Sequence, residues 1–158
     1  MRSQEVFRCT IMRGGTSKAI FLKRNELPED PVLRDKIILA IFGSPDVRQI
    51  DGLGGSDITT SKVAIIGPPT RDDADVDYNF GQVQLNKAEI IWNANCGNIS
   101  SAVGPYAIDE GMVRVTEPIT RVRIHNVNTG KILVEEVPVE DGYAAVEGEF
   151  RIDGVPGT

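Results

Sequence analysis

The sequence predicts one α/β domain of mixed α+β character, on three observations. Short runs rich in β-branched and aromatic residues recur along the chain, as in KVAIIG (62–67) and AEIIWN (88–93). ITRVRIHNV and KILVEEVPV flank Asn128-Thr129-Gly130, a hairpin signal. VLRDKIILAIF is an apolar helical segment, with Asp30 and Pro31 before it and Gly43 and Pro45 after it. The 158 residues suffice for one domain with a core of its own.

The elements follow in order. EVFRCTIM (5–12) and KAIFLK (18–23) read as strands joined by a Gly14-Gly15 turn. The helix comes next, with Asp30 as N-cap, and its apolar residues Ile37, Ile38, Leu39, Ile41 and Phe42 are expected to pack on a sheet. KVAIIG and AEIIWN read as short buried strands, with VDYNFGQVQL (76–85) a longer one between them. Arg71-Asp72-Asp73-Ala74-Asp75 is read as a solvated loop, because its spacing lacks the glycine and terminal glutamate of a calcium loop. ISSAVGPYAIDEG has apolar residues at helical spacing, with Pro105 inside and Gly111 as a stop. It predicts a kinked or two-part helix over 97–110, buried on several sides. His125 lies on the first hairpin strand with no acid or cysteine at useful spacing, which points to a structural role. EFRIDGVPGT closes no pattern and reads as a linker.

Composition removes several classes of function. A net charge of −6 argues against binding a nucleic-acid backbone, which needs clustered Lys and Arg. No apolar run approaches the ~20 residues of a membrane span, and the first residues lack the apolar core of a signal peptide. Two cysteines, Cys9 and Cys96, with no CxxC pair, suggest neither a disulfide framework nor a zinc site. A reducing, cytoplasmic setting is the expectation, with no metal.

Three polar, glycine-rich stretches carry the chemistry. In NANCGNISSAVG (93–104), Cys96 precedes the predicted helix. Free N–H groups and the helix dipole at such a place favour an anion. The anion can be the thiolate of Cys96, or a substrate carboxylate held by the amides of Gly97, Asn98 and Ile99. A buried, inert cysteine fits the residues as well. In IDGLGGSDITTSKVAII (50–66), the order of glycines and lysine is not that of a phosphate loop, since Ser61-Lys62 opens a strand. Partial burial at the mouth of an apolar strand can make Lys62 a base, although a lone lysine more often faces solvent. In MRGGTSKAIFL (12–22), Arg13, Thr16, Ser17 and Lys18 offer donors suited to small carboxylates.

Taken together, MRGGTSK (12–18), GGSDITTSKVAII (54–66), ADVDYNFGQV (74–83) and NCGNISSAVGPYAIDEG (95–111) resemble the PrpF family of 2-methylaconitate cis–trans isomerases. The resemblance implies a diaminopimelate-epimerase-like fold, a mostly antiparallel curved sheet wrapped around a central helix. It implies Lys62 and Cys96 as the paired catalytic residues, with Arg13, Ser17, Lys18, Ser56, Gly97 and Asn98 binding the carboxylates of a small unsaturated tricarboxylate, and no cofactor. Ala19 departs from the glycine usual after the first TSK. Family members are over twice as long and place their site between two similar domains. Residues 1–150 are therefore expected to be an N-terminal domain, 151–158 the start of a linker to a second. The resemblance leaves room for an oxalomesaconate-type tautomerase. It also leaves room for a non-catalytic truncated or accessory module of an iron–sulfur methylcitrate dehydratase. A domain without its neighbour is expected to expose an apolar face and to form a homodimer.

Overall fold

A computed structural model describes residues 4–157. Strands β1 (Thr10–Gly14) and β2 (Ser17–Lys23) form the first hairpin, and a 3-10 turn at Arg24–Glu26 leads to helix α1 (Pro31–Phe42). β3 (Lys62–Gly67), β4 (Val76–Val83) and the short β5 (Ile90–Ile91) follow. Two short helices, α2 (Gly97–Ser100) and α3 (Val103–Asp109), precede β6 (Ile119–Asn126), β7 (Lys131–Glu140) and β8 (Tyr143–Ala144). The sheet runs β1-β2-β3-β4-β6-β7-β8, with β5 paired to β4. The β2–β3 and β4–β6 pairs are parallel and the others antiparallel, so the sheet is mostly antiparallel as expected.

Alternation along the central strands makes two apolar faces. Ala19, Phe21, Ala64, Ile66, Tyr78 and Phe80 face one way, against Ile99, Val103, Tyr106, Ala107 and Ile108 of α2 and α3. Ile20, Leu22, Val63 and Ile65 face the other way, against Ile38, Leu39 and Phe42 of α1. The β6–β7 ribbon curls round the far side of α3. There Glu135 Oε2 accepts the Gly104 N–H at 2.8 Å, and Asp109 Oδ1 accepts the Ala144 N–H at 2.9 Å. A Cβ at Gly104 would collide with Glu135 and Val137, so this contact needs glycine. The paired helices α2 and α3 are the element the sheet wraps.

The caps of α1 follow the sequence. The Asp30 carboxylate accepts the Val32 N–H at 3.0 Å, Pro31 opens the first turn, and Gly43 ends it at φ 73°. The second helical segment differs in detail. Its break falls at Ser101–Ala102 rather than at Pro105. Pro105 is the third residue of α3, in a first turn whose N–H groups have no acceptor within the helix, so its missing donor costs nothing there.

Strands β1 and β5 are shorter than their sequence runs. β1 begins only at Thr10, where its pairing with Phe21 of β2 starts. β5 keeps two residues of AEIIWN, those that pair with Gln82 and Val83. The acidic loop is partly engaged: Asp75 accepts from the Arg123 backbone and guanidinium at 2.7 and 2.6 Å. His125 Nδ1 lies 2.9 Å from the buried Asp77, which also pairs with Arg24, consistent with a structural part. Among the described residues no helix is long and apolar enough to cross a membrane.

Candidate active site

Lys62 is the first residue of β3 and faces the α2–α3 side of the sheet, in step with Ala64 and Ile66. It is 9% exposed. Its Nζ donates to Gln82 Oε1 at 2.7 Å and lies 5.4 Å from the centre of the Phe80 ring. The amine of Lys62 thus stands on a buried strand end, turned towards the helices.

Cys96 sits on the same side. It occupies the N-cap position of α2 with extended backbone (φ −133°, ψ 105°) and packs, half-buried, against the cluster that holds Phe80 and Ala64. Among the described residues no side chain caps the helix. The Cys96 carbonyl accepts both the Ser100 N–H at 3.0 Å and the Ser100 hydroxyl at 2.9 Å. The preceding loop is tied down by the β6–β7 hairpin. Buried Asn126 donates to Asn95 Oδ1 at 2.7 Å, and Asn128 donates to the Trp92 carbonyl at 2.7 Å. Among the described residues, a Cβ at Gly97 would meet no atom within 4 Å.

The first hairpin turn lies directly on this helix start. Side chains at Gly14 or Gly15 would collide with Asn98, and Asn98 Nδ2 donates to Thr16 Oγ1 at 3.0 Å. Ser17 is buried and shares the face of Ala19, next to Lys62 in the β2–β3 register. These two glycines are thus absent side chains that let a turn touch a helix.

Other predicted site residues are placed differently. Arg13 and Lys18 pair across β1–β2, one step out of phase with Ser17 and Ala19, so strand alternation turns them to the opposite face at the sheet's rim. Lys18 reaches the glycine-rich loop, its Nζ 3.2 Å from where a Cβ on Gly55 would sit. The Ser56 hydroxyl donates to the Arg48 carbonyl at 2.7 Å within that loop. The loop is organised by Gln49, 1% exposed, whose Oε1 accepts from the Ser56 N–H and the Ser61 hydroxyl at 2.9 and 2.7 Å. A side chain on Gly54 would strike Gln49, and one on Gly52 would strike the end of α1. Most glycines of this loop therefore serve its packing.

Sequence reasoning missed Gln82, Gln49, Asn126, Tyr78 and Glu135. Gln82 was visible inside the NFGQ run but nothing local marks its partner. Among the described residues the buried Tyr78 hydroxyl has no hydrogen-bond partner. Burial, and next the nearby Cys96, push that phenol's pKa well above its usual value. Burial also pushes the Glu135 carboxyl up to about 7, against the opposing bond from Gly104.

Known proteins share both the fold and much of the sequence. The fold matches the crystal structure of a methylitaconate-delta-isomerase with a TM-score of 0.94 at 67% identity, over 95% of this chain and 39% of that one. A hydroxyproline epimerase from Agrobacterium vitis, at 16% identity and a TM-score of 0.56, shares the fold alone over 86% of this chain and 39% of its own. In sequence, the chain is 65% identical to the 3-methylitaconate isomerase of Eubacterium barkeri, over all of this chain and 42% of that protein. It is 52% identical to the 4-oxalomesaconate tautomerase of Pseudomonas putida, over 94% of this chain and 41% of that protein. The 2-methyl-aconitate isomerase of Cupriavidus necator is 42% identical, over 92% of this chain and 39% of its own length. The chain thus spans about two-fifths of the length of the relatives it matches. The model of the PrpF protein family matches residues 4–158. Matched by that model over nearly all of its length, and by relatives of such identity, the chain belongs to the PrpF family.

Proposed function

We propose that this chain supplies the acid/base half of an isomerase that moves an allylic proton in small unsaturated carboxylic acids. The observation that carries the reading is Lys62, dry and anchored, on the same sheet face as Cys96 at the start of α2. Lys62, as the neutral amine, takes a proton from a methyl or methylene carbon next to the double bond. The electron pair left behind spreads over the alkene towards a carboxylate as a dienolate, which weakens the double bond. Reprotonation at the original carbon after rotation gives cis–trans isomerisation, and at the far carbon it shifts the double bond. Cys96 returns the proton or holds the substrate beside the helix start. The Gly97 and Asn98 amides and Ser17 bind carboxylates there, and Arg13, Lys18 and Ser56 do so only from the rim. No cofactor enters this scheme.

The substrate class is small unsaturated di- and tricarboxylates. The family resemblance implies a tricarboxylate of the 2-methylaconitate type. The 65% identity to a protein named for 3-methylitaconate, a dicarboxylate, favours a double-bond shift as the second reading. An oxalomesaconate-type tautomerase uses the same proton transfer. The second domain expected from the relatives' length closes the cleft. The 158-residue chain alone then turns over little, because half the ligand contacts and the exclusion of water are missing. Turnover by this chain at the rate of a two-domain relative would remove that part of the proposal.

The test follows isomerisation of a panel of methylitaconate, 2-methylaconitate and oxalomesaconate by NMR in deuterated water, using a full-length protein that carries this segment. Deuterium entering the allylic carbon, and its loss in Lys62→Ala, is the expected result. Full-rate isomerisation in Lys62→Ala shows that another group is the base.

A further inference from the structure

The residue that holds Lys62 is itself held, and in one orientation only. Lys62 and Gln82 stand directly opposite each other on β3 and β4. Gln82 Oε1 accepts the Lys62 amine at 2.7 Å, while Gln82 Nε2 donates to the carbonyls of Ile58 at 3.1 Å and Ser61 at 2.9 Å. Both amide hydrogens are therefore used. Turning the amide over would set its oxygen against two carbonyl oxygens and lose both bonds.

We infer that Gln82 is a positioning residue that presents only an acceptor to Lys62 and so leaves the amine's lone pair free for the substrate. The inference rests on the reading of Lys62 as the base. A neutral amine has two N–H donors and one lone pair. The Gln82 oxygen takes one N–H, whereas an NH₂ group in its place would donate to the lone pair and silence the base. When Lys62 captures a proton, the ammonium keeps the same acceptor and has the Phe80 ring face nearby, so the nitrogen need not move between its two states. The two carbonyls that fix Gln82 belong to the end of the glycine-rich loop, which ties the loop's position to the base.

Competitive acetylation with trace acetic anhydride, read by mass spectrometry on the 158-residue chain, tests this without needing turnover. Only the neutral amine reacts, so Lys62 labelling relative to exposed Lys87 and Lys131 reports its state. Gln82→Glu places a carboxylate beside the amine, holds it as the ammonium, and lowers relative labelling near neutral pH by about three- to tenfold. Gln82→Met removes the acceptor, moves the Lys62 labelling curve to lower pH and raises its labelling near neutral pH, with Lys87 and Lys131 unchanged. A rise in both variants marks a merely structural part and overturns the inference, as does no change in either. If Gln82→Glu does not fold, all lysines gain labelling together and Gln82→Met decides. A displaced Lys62 curve supports positioning, and an equal gain at every pH overturns it. Isomerisation by Lys62→Ala at full rate would remove the base while leaving these labelling results intact, so the two readings fail separately.

Discussion

Lys62 and Cys96, the two side chains proposed to react, are held in opposite ways. Lys62 is fixed through its side chain, by a cross-strand glutamine that is itself anchored to two carbonyls. Cys96 is fixed through its backbone, by Ser100 on its carbonyl and by Asn126 on the residue before it. The difference follows from length and chemistry. A lysine has four rotatable bonds to restrain and a terminal donor by which to restrain them. A cysteine has one short bond and a sulfur that bonds weakly, so placing its Cα places the thiol. The amine side should therefore yield to side-chain substitutions, and the thiol side to backbone crowding and loop contacts.

Breaking the pair outright has the largest expected effect. In a full-length protein carrying this segment, Lys62→Ala lowers kcat by about 10³-fold, within the range of general acid–base catalysis, and Cys96→Ser lowers it by about 10²-fold. NMR-followed turnover checks both. The pH dependence of folding probes the thiol side next. Burial raises the Glu135 carboxyl in the folded chain from 4.5 to about 7, so the folded state holds this proton more tightly than the unfolded state does. The corresponding stability is present below pH 4.5 and is lost as pH rises through about 7. Glu135→Gln removes that loss and raises stability at pH 8 by roughly 2 kcal/mol, read by denaturant unfolding at several pH values.

Crowding the turn on the helix start comes third. Gly14→Ala drives a methyl group into Asn98 and lowers stability by about 1–3 kcal/mol. It also alters alkylation of Cys96 while leaving Lys62 acetylation unchanged, which is the sharpest form of the contrast. Asn126→Ala frees the loop before Cys96 and leaves Asn95 without its partner, costing about 1–2 kcal/mol by thermal unfolding. The smallest effect is at Tyr78. Its hydroxyl is buried and, among the described residues, unpartnered, so Tyr78→Phe leaves stability unchanged or raises it by up to about 1 kcal/mol. A loss of more than that would show that the hydroxyl bonds to something in solution.

Local chemistry made much of this legible in the residues. Asp30-Pro31 and Gly43 specify the ends of α1 because caps and terminal turns depend on a few neighbouring residues. The Asn128-Thr129-Gly130 turn specifies the β6–β7 hairpin in the same way, with Gly130 at φ 70°. Lys62 at a strand mouth and Cys96 at a helix start were also readable, since each is a position within one element. Pro105 misled the placement of the break because its effect depends on where the helix begins, which the flanking loop decides.

Pairings between distant segments were not readable. Gln82 faces Lys62 only because β3 and β4 adopt one antiparallel register. Shifting it by one residue would turn that side chain to the other face. Ser17, Lys18 and Arg13 read alike as polar residues beside glycines, yet strand alternation put Ser17 on the face of Lys62 and the two cations on the other. Gln49 and Ser56 became loop-internal contacts through a fold of the chain over α1 that no short pattern encodes. The sequence by itself determined the elements, their ends and the reactive residue types, because those follow from local backbone preferences. The tertiary structure decided which polar groups meet, because register and face are set only when the two sides of the sheet bury their apolar residues.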